Sequence, residues 1–565
     1  MLIQKLFVPL HREINNEIIT KKKHKTMSNL FLQAFGKKNT VTENGALSNS
    51  TTGIAFVDAF STAPTYRGRS YSDVCSDQSL LWDINPELSV KFIFYLRMVT
   101  RKIKINNGFI TETVQKGQGV KDEAFKRLLW VAENHPKTFN QNIWLLPLVG
   151  SWKDIWTLMY YDKELNINAI NHNAMFDLLK SGLSLEEHRE LIKKFMPRIK
   201  SNSKLKTSWT KTTNELAIEF ASYMGWTLKE YNKLKTSGTA HDFQKYMCGQ
   251  MYDKINWGLI PGRALTKIVN SKFIESHNLV ESYMSWLETQ DVANFTGYVF
   301  ELGKVFRDNI KNLSLYKKHT LNKQFNSLIE KAKADGKITE NVWCALDTSS
   351  SMSWTQHTHA NVTALDICMS LGIFFSTLNE GAFHKNVIMF DSISRIKQLS
   401  GEFCDMMSQI PYNAMGGTNF QSVVDEIVRV RRANPNVPLE DYPTTLLIVS
   451  DQQFNPTSKH LLKVTDADIE TNYEATKRKL YEVFPEEFVD EMKFIWWNVN
   501  SELKDFPSRI EDGGTYMLGG FDGSIISLLL GEDVKERVEK KPINMEDLVN
   551  DALNQEILLQ VKMVE

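Results

Sequence analysis

Residues 342–353, Val-Trp-Cys-Ala-Leu-Asp-Thr-Ser-Ser-Ser-Met-Ser, decide the reading of this chain: a short apolar run ends at Asp347 and a polar, hydroxyl-rich loop follows. Downstream, Val362 to Leu378 reads as a helix, Asn386-Val-Ile-Met-Phe390 as a second apolar run, and Phe403 to Ile410 and Phe420 to Arg431 as further helices. Thr445-Leu-Leu-Ile-Val449 then runs into Ser450-Asp451, and a helix over Tyr473 to Val483 leads to Phe494-Ile-Trp-Trp-Asn498. Buried runs of about four to six apolar residues alternating with helices predict an α/β, doubly wound (Rossmann-like) domain around a parallel sheet. The pattern begins after the Ala-Asp-Gly-Lys stretch near 334–340, so this domain is expected over residues 337–535.

In an open α/β sheet with right-handed crossovers, the carboxyl ends of the strands share one edge, and ligands bind there. That rule makes neighbours of Asp347, Ser349 and Ser351, just past the first run, of Asp451, just past the Leu446 to Val449 run, and of Thr418, in the Gly416-Gly417-Thr418-Asn419 turn before a helix. Two carboxylates and three hydroxyls form a hard, all-oxygen set, suited to Mg²⁺ or Mn²⁺ and not to zinc or copper. Alternate spacing lets one loop aim Asp347, Ser349 and Ser351 at a single point. Mg²⁺ needs about six ligands, so waters complete the shell and an open position would take a carboxylate or phosphate from a partner. Read singly, the serine loop is a polar strand cap and Gly-Gly-Thr-Asn a helix start; together on one edge they predict a metal site.

These five residues resemble the metal-ion-dependent adhesion site (MIDAS) of von Willebrand factor A domains, whose pattern is Asp-x-Ser-x-Ser, then a Thr, then an Asp after a later strand. The resemblance implies metal contact through Ser349, Ser351 and often Thr418, with Asp347 and Asp451 acting through water. The glycine common between the two serines is Ser350 here.

Upstream, from about Leu81 to Lys333, apolar residues recur at three and four, as in Ala124, Phe125, Leu128, Leu129 and Ala132, or Phe273, Val280, Tyr283 and Trp286. Short strands are hard to find there, and the pattern predicts an all-α solenoid of packed helix pairs over residues 27–336. Residues 44–80 read as lead-in loops around one short helix near Ile54 to Phe60. Residues 536–565 read as a C-terminal helical segment packing back on the helical domain, with helical pattern over Val534 to Val538 and Ile543 to Ile557. Residues 1–26, before Met27, read as a disordered leader or extension whose Lys21, Lys22, Lys23, His24 and Lys25 form a solvated tail or a nucleic-acid-binding arm.

A helical array followed by this metal-site domain resembles the TROVE-like family related to the Ro autoantigen, in which a ring of HEAT-like repeats is closed by a von Willebrand factor A domain. Further residues carry the likeness: Asn44-Gly-Ala-Leu, Ser50-Thr-Thr-Gly53 with Asp58, Gly117-Gln-Gly119 before the helix Asp122 to Glu133, and Leu148-Val-Gly-Ser-Trp-Lys-Asp154. It spans about residues 40 to 555, with only the metal motif sharp; the Arg frequent after the Gly of the last motif is Ser151. The resemblance implies that the ring binds RNA, single-stranded ends in a basic central hole and structured RNA on the outer face.

The charge to do so must be local, because 67 Lys and Arg balance 67 Asp and Glu over the 565 residues. Residues 191–271 carry 14 Lys and Arg against five Asp and Glu. Lys193, Lys194, Arg198, Lys200, Lys204, Lys206, Lys211 and Arg263 are the RNA-contact candidates, with Trp209, Tyr223, Trp226 and Tyr231 nearby to stack on bases or to sit in the core. Arg67, Arg69, Arg101, Lys102 and Lys104 are weaker candidates.

Five cysteines, none spaced as CxxC, point to a reducing interior and a cytoplasmic protein, or a virion component if the chain is viral. No apolar run reaches the ~20 residues of a membrane span. His357 and His359 lack a third ligand in sequence, Gly117 and Gly119 lack the nucleotide-loop context, and neither HExxH nor GxSxG occurs. The expectation is a non-catalytic RNA-binding protein of Ro/TROVE type whose metal site docks a ligand. The rivals are a structural or protein-interaction component whose metal binds a partner carboxylate, and an adaptor of an AAA-type ATPase.

Overall fold

The computed structural model describes residues 40–564 apart from 107–109, 238–241, 335–337, 339–340, 354–361, 412–415, 458–469, 501–504, 522 and 524–543. The leader with Lys21 to Lys25, the pair His357 and His359, and the pattern over Val534 to Val538 lie outside these residues.

The chain is a helical array followed by a doubly wound α/β layer. Ten strands are described: β1 (Thr40–Val41), β2 (Leu47–Ser48), β3 (Arg101–Asn106), β4 (Ile110–Gln115), β5 (Val342–Asp347), β6 (Asn386–Phe390), β7 (Ser394–Gln398), β8 (Thr445–Ser450), β9 (Lys493–Asn498) and β10 (Thr515–Gly519). The last six form one sheet in the order β10-β9-β8-β5-β6-β7. All its pairings are parallel except β6 with β7, an antiparallel edge. Every residue of β5, β8 and β10 is buried, which is why β5 and β8 read as near-continuous apolar runs: helices cover both faces of a parallel sheet.

From β5 the chain steps outward to β6, and it later returns to β8 on the other side of β5. The strand order therefore reverses between β5 and β8, and a crevice opens at their carboxyl ends. Helix Ala364–Leu378 packs on β5 and starts at a capping box, where Thr363 Oγ1 accepts from the backbone N–H of Asp366 and the Asp366 carboxylate accepts from that of Thr363.

The same Asp366, wholly buried, takes an ion pair from Arg307 of helix Val299–Asn309, tying the helical array to the sheet layer. Phe325 of helix Leu315–Ala334 stacks on Phe403 with ring centres 4.5 Å apart at the same junction. One continuous apolar core runs through both parts, and a smaller one gathers around Trp257, Tyr283 and Tyr316. At the far end, helix Met545–Leu553 buries Leu548, Val549 and Leu553 against helices Ala55–Thr62 and Pro86–Arg97. The Lys562 N–H donates to Asn142 Oδ1 (2.8 Å) and Gln555 Nε2 to the Lys116 carbonyl (2.7 Å).

Strands do occur in the helical array, contrary to the sequence reading. β3 and β4 pair antiparallel in register from Arg101 opposite Gln115 to Asn106 opposite Ile110. The stretch Arg-Lys-Ile-Lys-Ile-Asn-Asn-Gly-Phe-Ile-Thr-Glu-Thr-Val-Gln does alternate with a period of two about an Asn-Gly turn signal, but one short hairpin inside long helical text is outweighed in any wide window. No helix of the described residues is long and apolar enough to cross a membrane.

Candidate metal centre and a cationic recess

Asp347 ends β5 and Asp451 follows β8, so the sheet register alone places both carboxylates at the reversal point. Both are buried. Asp347 Oδ1 accepts from the Ser349 N–H at 2.9 Å and Oδ2 from the Ser450 hydroxyl at 2.5 Å. Asp451 Oδ1 accepts from the Gln453 N–H at 3.1 Å, and the Ser351 hydroxyl also bonds its carboxylate. Ser349 and Ser351 hydroxyls lie 3.2 Å apart.

Ser350, in place of the glycine, opens the 3₁₀ turn Ser350–Ser353 and donates through its hydroxyl to the Gly416 carbonyl at 3.0 Å. That bond draws the Gly416–Thr418 turn onto the serine loop. The Asn455 N–H donates to the Thr418 carbonyl (2.8 Å) and fixes the turn from the β8 side. The structure thus gathers Asp347, Ser349, Ser351, Thr418 and Asp451 at one edge.

Burial first, and then the charge of Asp451, pushes the Asp347 carboxyl up to about 7. Burial also raises Asp451, and the charge of Glu43 adds to the rise. None of the main influences on either group is a cation. Two buried carboxylates that repel each other, with no basic side chain among the main influences on them from the described residues, are the electrostatic counterpart of a divalent-cation site, and three hydroxyls beside them complete a hard oxygen set. Among the described residues no three His, Cys, Asp or Glu side chains converge, so the set is built on hydroxyls, which suits Mg²⁺ or Mn²⁺.

An unforeseen contributor comes from the other end of the chain. The tip of the β1–β2 hairpin lies on this edge: Asn44 Nδ2 donates to Thr418 Oγ1 at 3.3 Å and also to the Gln453 carbonyl, and Thr42 Oγ1 donates to the Phe454 carbonyl at 2.7 Å. The sequence signal was the Asn44-Gly45 turn; which surface it meets was not written there.

The fold leaves most of the basic candidates exposed and pairs two of them. Lys194, Arg198, Lys200, Lys204, Lys206 and Lys211 are exposed, and Lys194 and Arg198 lie near enough to Lys235 to lower its ammonium after burial has done so. Lys193 is instead buried and paired with Glu190 at 2.6 Å. Arg263 is paired with Glu301 and lies over the Tyr298 ring, 5.8 Å from its centre. Tyr231 is wholly buried, its hydroxyl donating to the Pro197 carbonyl at 2.9 Å, and so cannot stack on a base. Trp226 packs on Phe220, and Tyr223 packs on Phe176 with its hydroxyl on Asp177. Of the weaker candidates, Arg69 pairs with Asp77 and Glu123, while burial brings Arg67 down to about 10 as it lies over Phe521.

Two of the candidates, Arg101 and Arg263, lie with cations that the sequence did not single out. Lys121, before helix Asp122–Asn134, is held below its ordinary value by burial and then by Arg97, with Lys153 and Arg263 adding. Arg101 of β3 is lowered the same way by burial and Arg97. Arg97 is buried and paired with Asp154 at 2.5 Å, and its Nε and Nη1 have no hydrogen-bond partner among the described residues. Lys121 and Arg101, though partly desolvated, are open to solvent, as is Lys153, and no described carboxylate forms an ion pair with them. Lys153 Nζ lies 5.5 Å from the centre of the Trp209 ring, which packs edge-on against Tyr160. Lys121 and Lys153 stand apart in sequence, so no charge window reveals them; the motif Leu148 to Asp154 was the pointer to Lys153, and in the fold its Asp154 anchors Arg97 and accepts from the Ser151 N–H at 2.7 Å.

The family described as a domain of unknown function, DUF7788, matches residues 342–562, the part of the chain that holds the sheet. No curated protein matches the sequence. Among solved structures the chain is similar to the crystal structure of the Ro (RSR) protein of Deinococcus radiodurans, at 12% identity over 82% of this chain and 94% of that one, with a TM-score of 0.43.

Proposed function

We propose that the protein is a non-catalytic RNA-binding protein of the cytoplasm, gripping RNA through its helical array, with a Mg²⁺ or Mn²⁺ site on its α/β layer. The approach of Lys121, Lys153 and Arg101, from separate elements, to the buried Arg97 carries this reading. Like charges held close in a partly desolvated recess cost free energy in the free protein, and a polyanion relieves that cost. Trp209 and Tyr160 beside Lys153 supply flat apolar surface of the kind on which unpaired bases stack. Exposed Lys194, Arg198, Lys200, Lys204, Lys206 and Lys211 extend the charge for phosphate contact.

Asp347, Ser349, Ser351, Thr418 and Asp451 would hold the metal. The bound ion supplies a positive centre able to accept an anionic oxygen from a ligand. A second reading, a protein-interaction component docking a partner carboxylate there, is favoured by the exposed edge beside the two buried aspartates. The deciding experiment is a gel-shift titration with single-stranded and structured RNA over a salt series, with and without Mg²⁺. Expected is binding that weakens steeply with salt; for single strands the slope is about 0.7 per phosphate neutralised. Binding that is absent at low salt, or indifferent to salt, removes the RNA reading. A carboxylate-bearing partner lost on chelation, with no RNA bound, establishes the second.

A further inference from the structure

The β1–β2 hairpin has a fixed tip. The Gly45 N–H donates to the Thr42 carbonyl (2.8 Å) and the Thr42 N–H to the Ala46 carbonyl (2.9 Å), while Gly45 has φ +89°. This is a turn closed by a left-handed glycine, and it sets Glu43 and Asn44 at the two corners. The tip is tied to the segment that follows Asp451. Gln453 Oε1 accepts from the Glu43 N–H, Asn44 bridges the Gln453 carbonyl and Thr418 Oγ1, and Thr42 Oγ1 holds the Phe454 carbonyl. Behind the tip, the Asn49 and Phe506 backbones exchange bonds of 3.0 and 2.8 Å, and Leu47 bridges to Thr471, so the hairpin is stitched to the sheet layer along its length.

The Glu43 carboxylate is exposed at this tip, and among the described residues no cation forms an ion pair with it. Its charge nevertheless acts on Asp451. Asp347 and Asp451 meet the edge from inside the sheet, whereas Glu43 is carried to it by a segment remote in sequence. The three carboxylates do not converge as a cluster; what the tip fixes at this edge is the Glu43 backbone, bonded to Gln453 two residues past Asp451.

Resting on the metal reading above, we infer that Glu43 is a ligand of the metal site, filling in cis the position that would otherwise admit a partner's carboxylate. A carboxylate delivered by a pinned tip acts at high effective concentration, so a free carboxylate in solution competes poorly with it. An acidic partner gains the metal only by displacing Glu43, and the metal in turn holds the hairpin down.

The test uses the full chain with Mn²⁺ as probe: affinity by calorimetry, the number of bound waters by proton relaxation of the Mn²⁺ complex, and amide exchange of residues 40–48 with and without the ion. Expected in wild type is one Mn²⁺ that slows exchange at Gly45 and Ala46. In Glu43→Gln, affinity falls about tenfold, the order seen when a carboxylate supporting a metal is lost. The ion then carries an additional water, acetate displaces that water, and the exchange effect disappears. Equal affinity and equal water number in wild type and Glu43→Gln overturn the role of Glu43 while leaving the metal site standing. A wild-type chain that takes up no Mn²⁺, or that does so no better than Asp347→Ala, overturns the metal reading and the role of Glu43 with it.

Discussion

Replacing Asp347 by Asn removes one of two buried, mutually repelling carboxyls while keeping its shape. With its carboxyl pushed from 3.8 to about 7, the metal-free protein holds that proton more tightly than the unfolded chain does. Its contribution to stability is therefore present below about pH 4 and lost as the pH rises through 7. A rise of about three pKa units at about 1.4 kcal/mol each makes the ionised carboxylate cost about 4 kcal/mol above pH 7. Asn lacks that cost, but it cannot accept at both positions, so the bond from the Ser450 hydroxyl is exchanged or lost at about 1 kcal/mol. The variant should be about 3 kcal/mol more stable than wild type at pH 8 in EDTA, and about 1 kcal/mol less stable at pH 4. Denaturant melts followed by tryptophan fluorescence suit the measurement, because Trp343, Trp496 and Trp497 lie in the sheet. Adding Mn²⁺ at pH 8 should reverse the order: ion at a hundred times its dissociation constant stabilises wild type by about 2.7 kcal/mol and the variant not at all. A variant less stable than wild type at both pH values in EDTA would refute the claim that Asp347 and Asp451 repel each other in a site built for a cation.

Three further outcomes follow from the packing. Asp154→Ala leaves Arg97 buried and unpaired and should cost about 3 to 5 kcal/mol, whereas the double change to Arg97→Met and Asp154→Leu should recover most of it, as denaturant melts will show. Gly519→Ala puts a Cβ 1.8 Å from the Ser61 carbonyl, where helix Ala55–Thr62 meets β10, and should destabilise by about 1 to 3 kcal/mol without changing Mn²⁺ affinity by calorimetry. Lys121→Ala and Lys153→Ala should each lower the salt slope of RNA binding by about one phosphate's worth, whereas Lys193→Ala, whose charge is already paired, should leave the slope unchanged.

The sheet and the meeting of five oxygen-bearing side chains at one edge were legible in the sequence because each rests on a local pattern. Val342 to Leu346 and Thr445 to Val449 must be apolar to be buried on both faces, and a loop that aims three side chains at one point must space them alternately. β7 was hidden by its exposed, polar edge position, with a burial pattern of exposed and half-buried residues, and β10 by its apolar run of only Tyr516, Met517 and Leu518 between glycines. The β3–β4 hairpin was lost among helices.

What only the tertiary structure decided is which distant residues share a place. Charge density along the chain singled out residues 191–271, yet Lys193 is buried and paired with Glu190 and the exposed Arg263 is paired with Glu301, because a Lys or Arg on a helix faces whatever its neighbours present. Lys121 and Lys153, from windows that are unremarkable in sequence, came to lie by Arg97, to which Arg101 is also a neighbour. Likewise the Asn44-Gly45 turn is written in four residues, but its seat against Thr418 and Gln453 depends on hydrogen bonds across the whole chain. Local periodicity and turn chemistry act over a few residues and survive in the sequence; convergence of charges and donors is a property of the packed chain, and only packing reveals it.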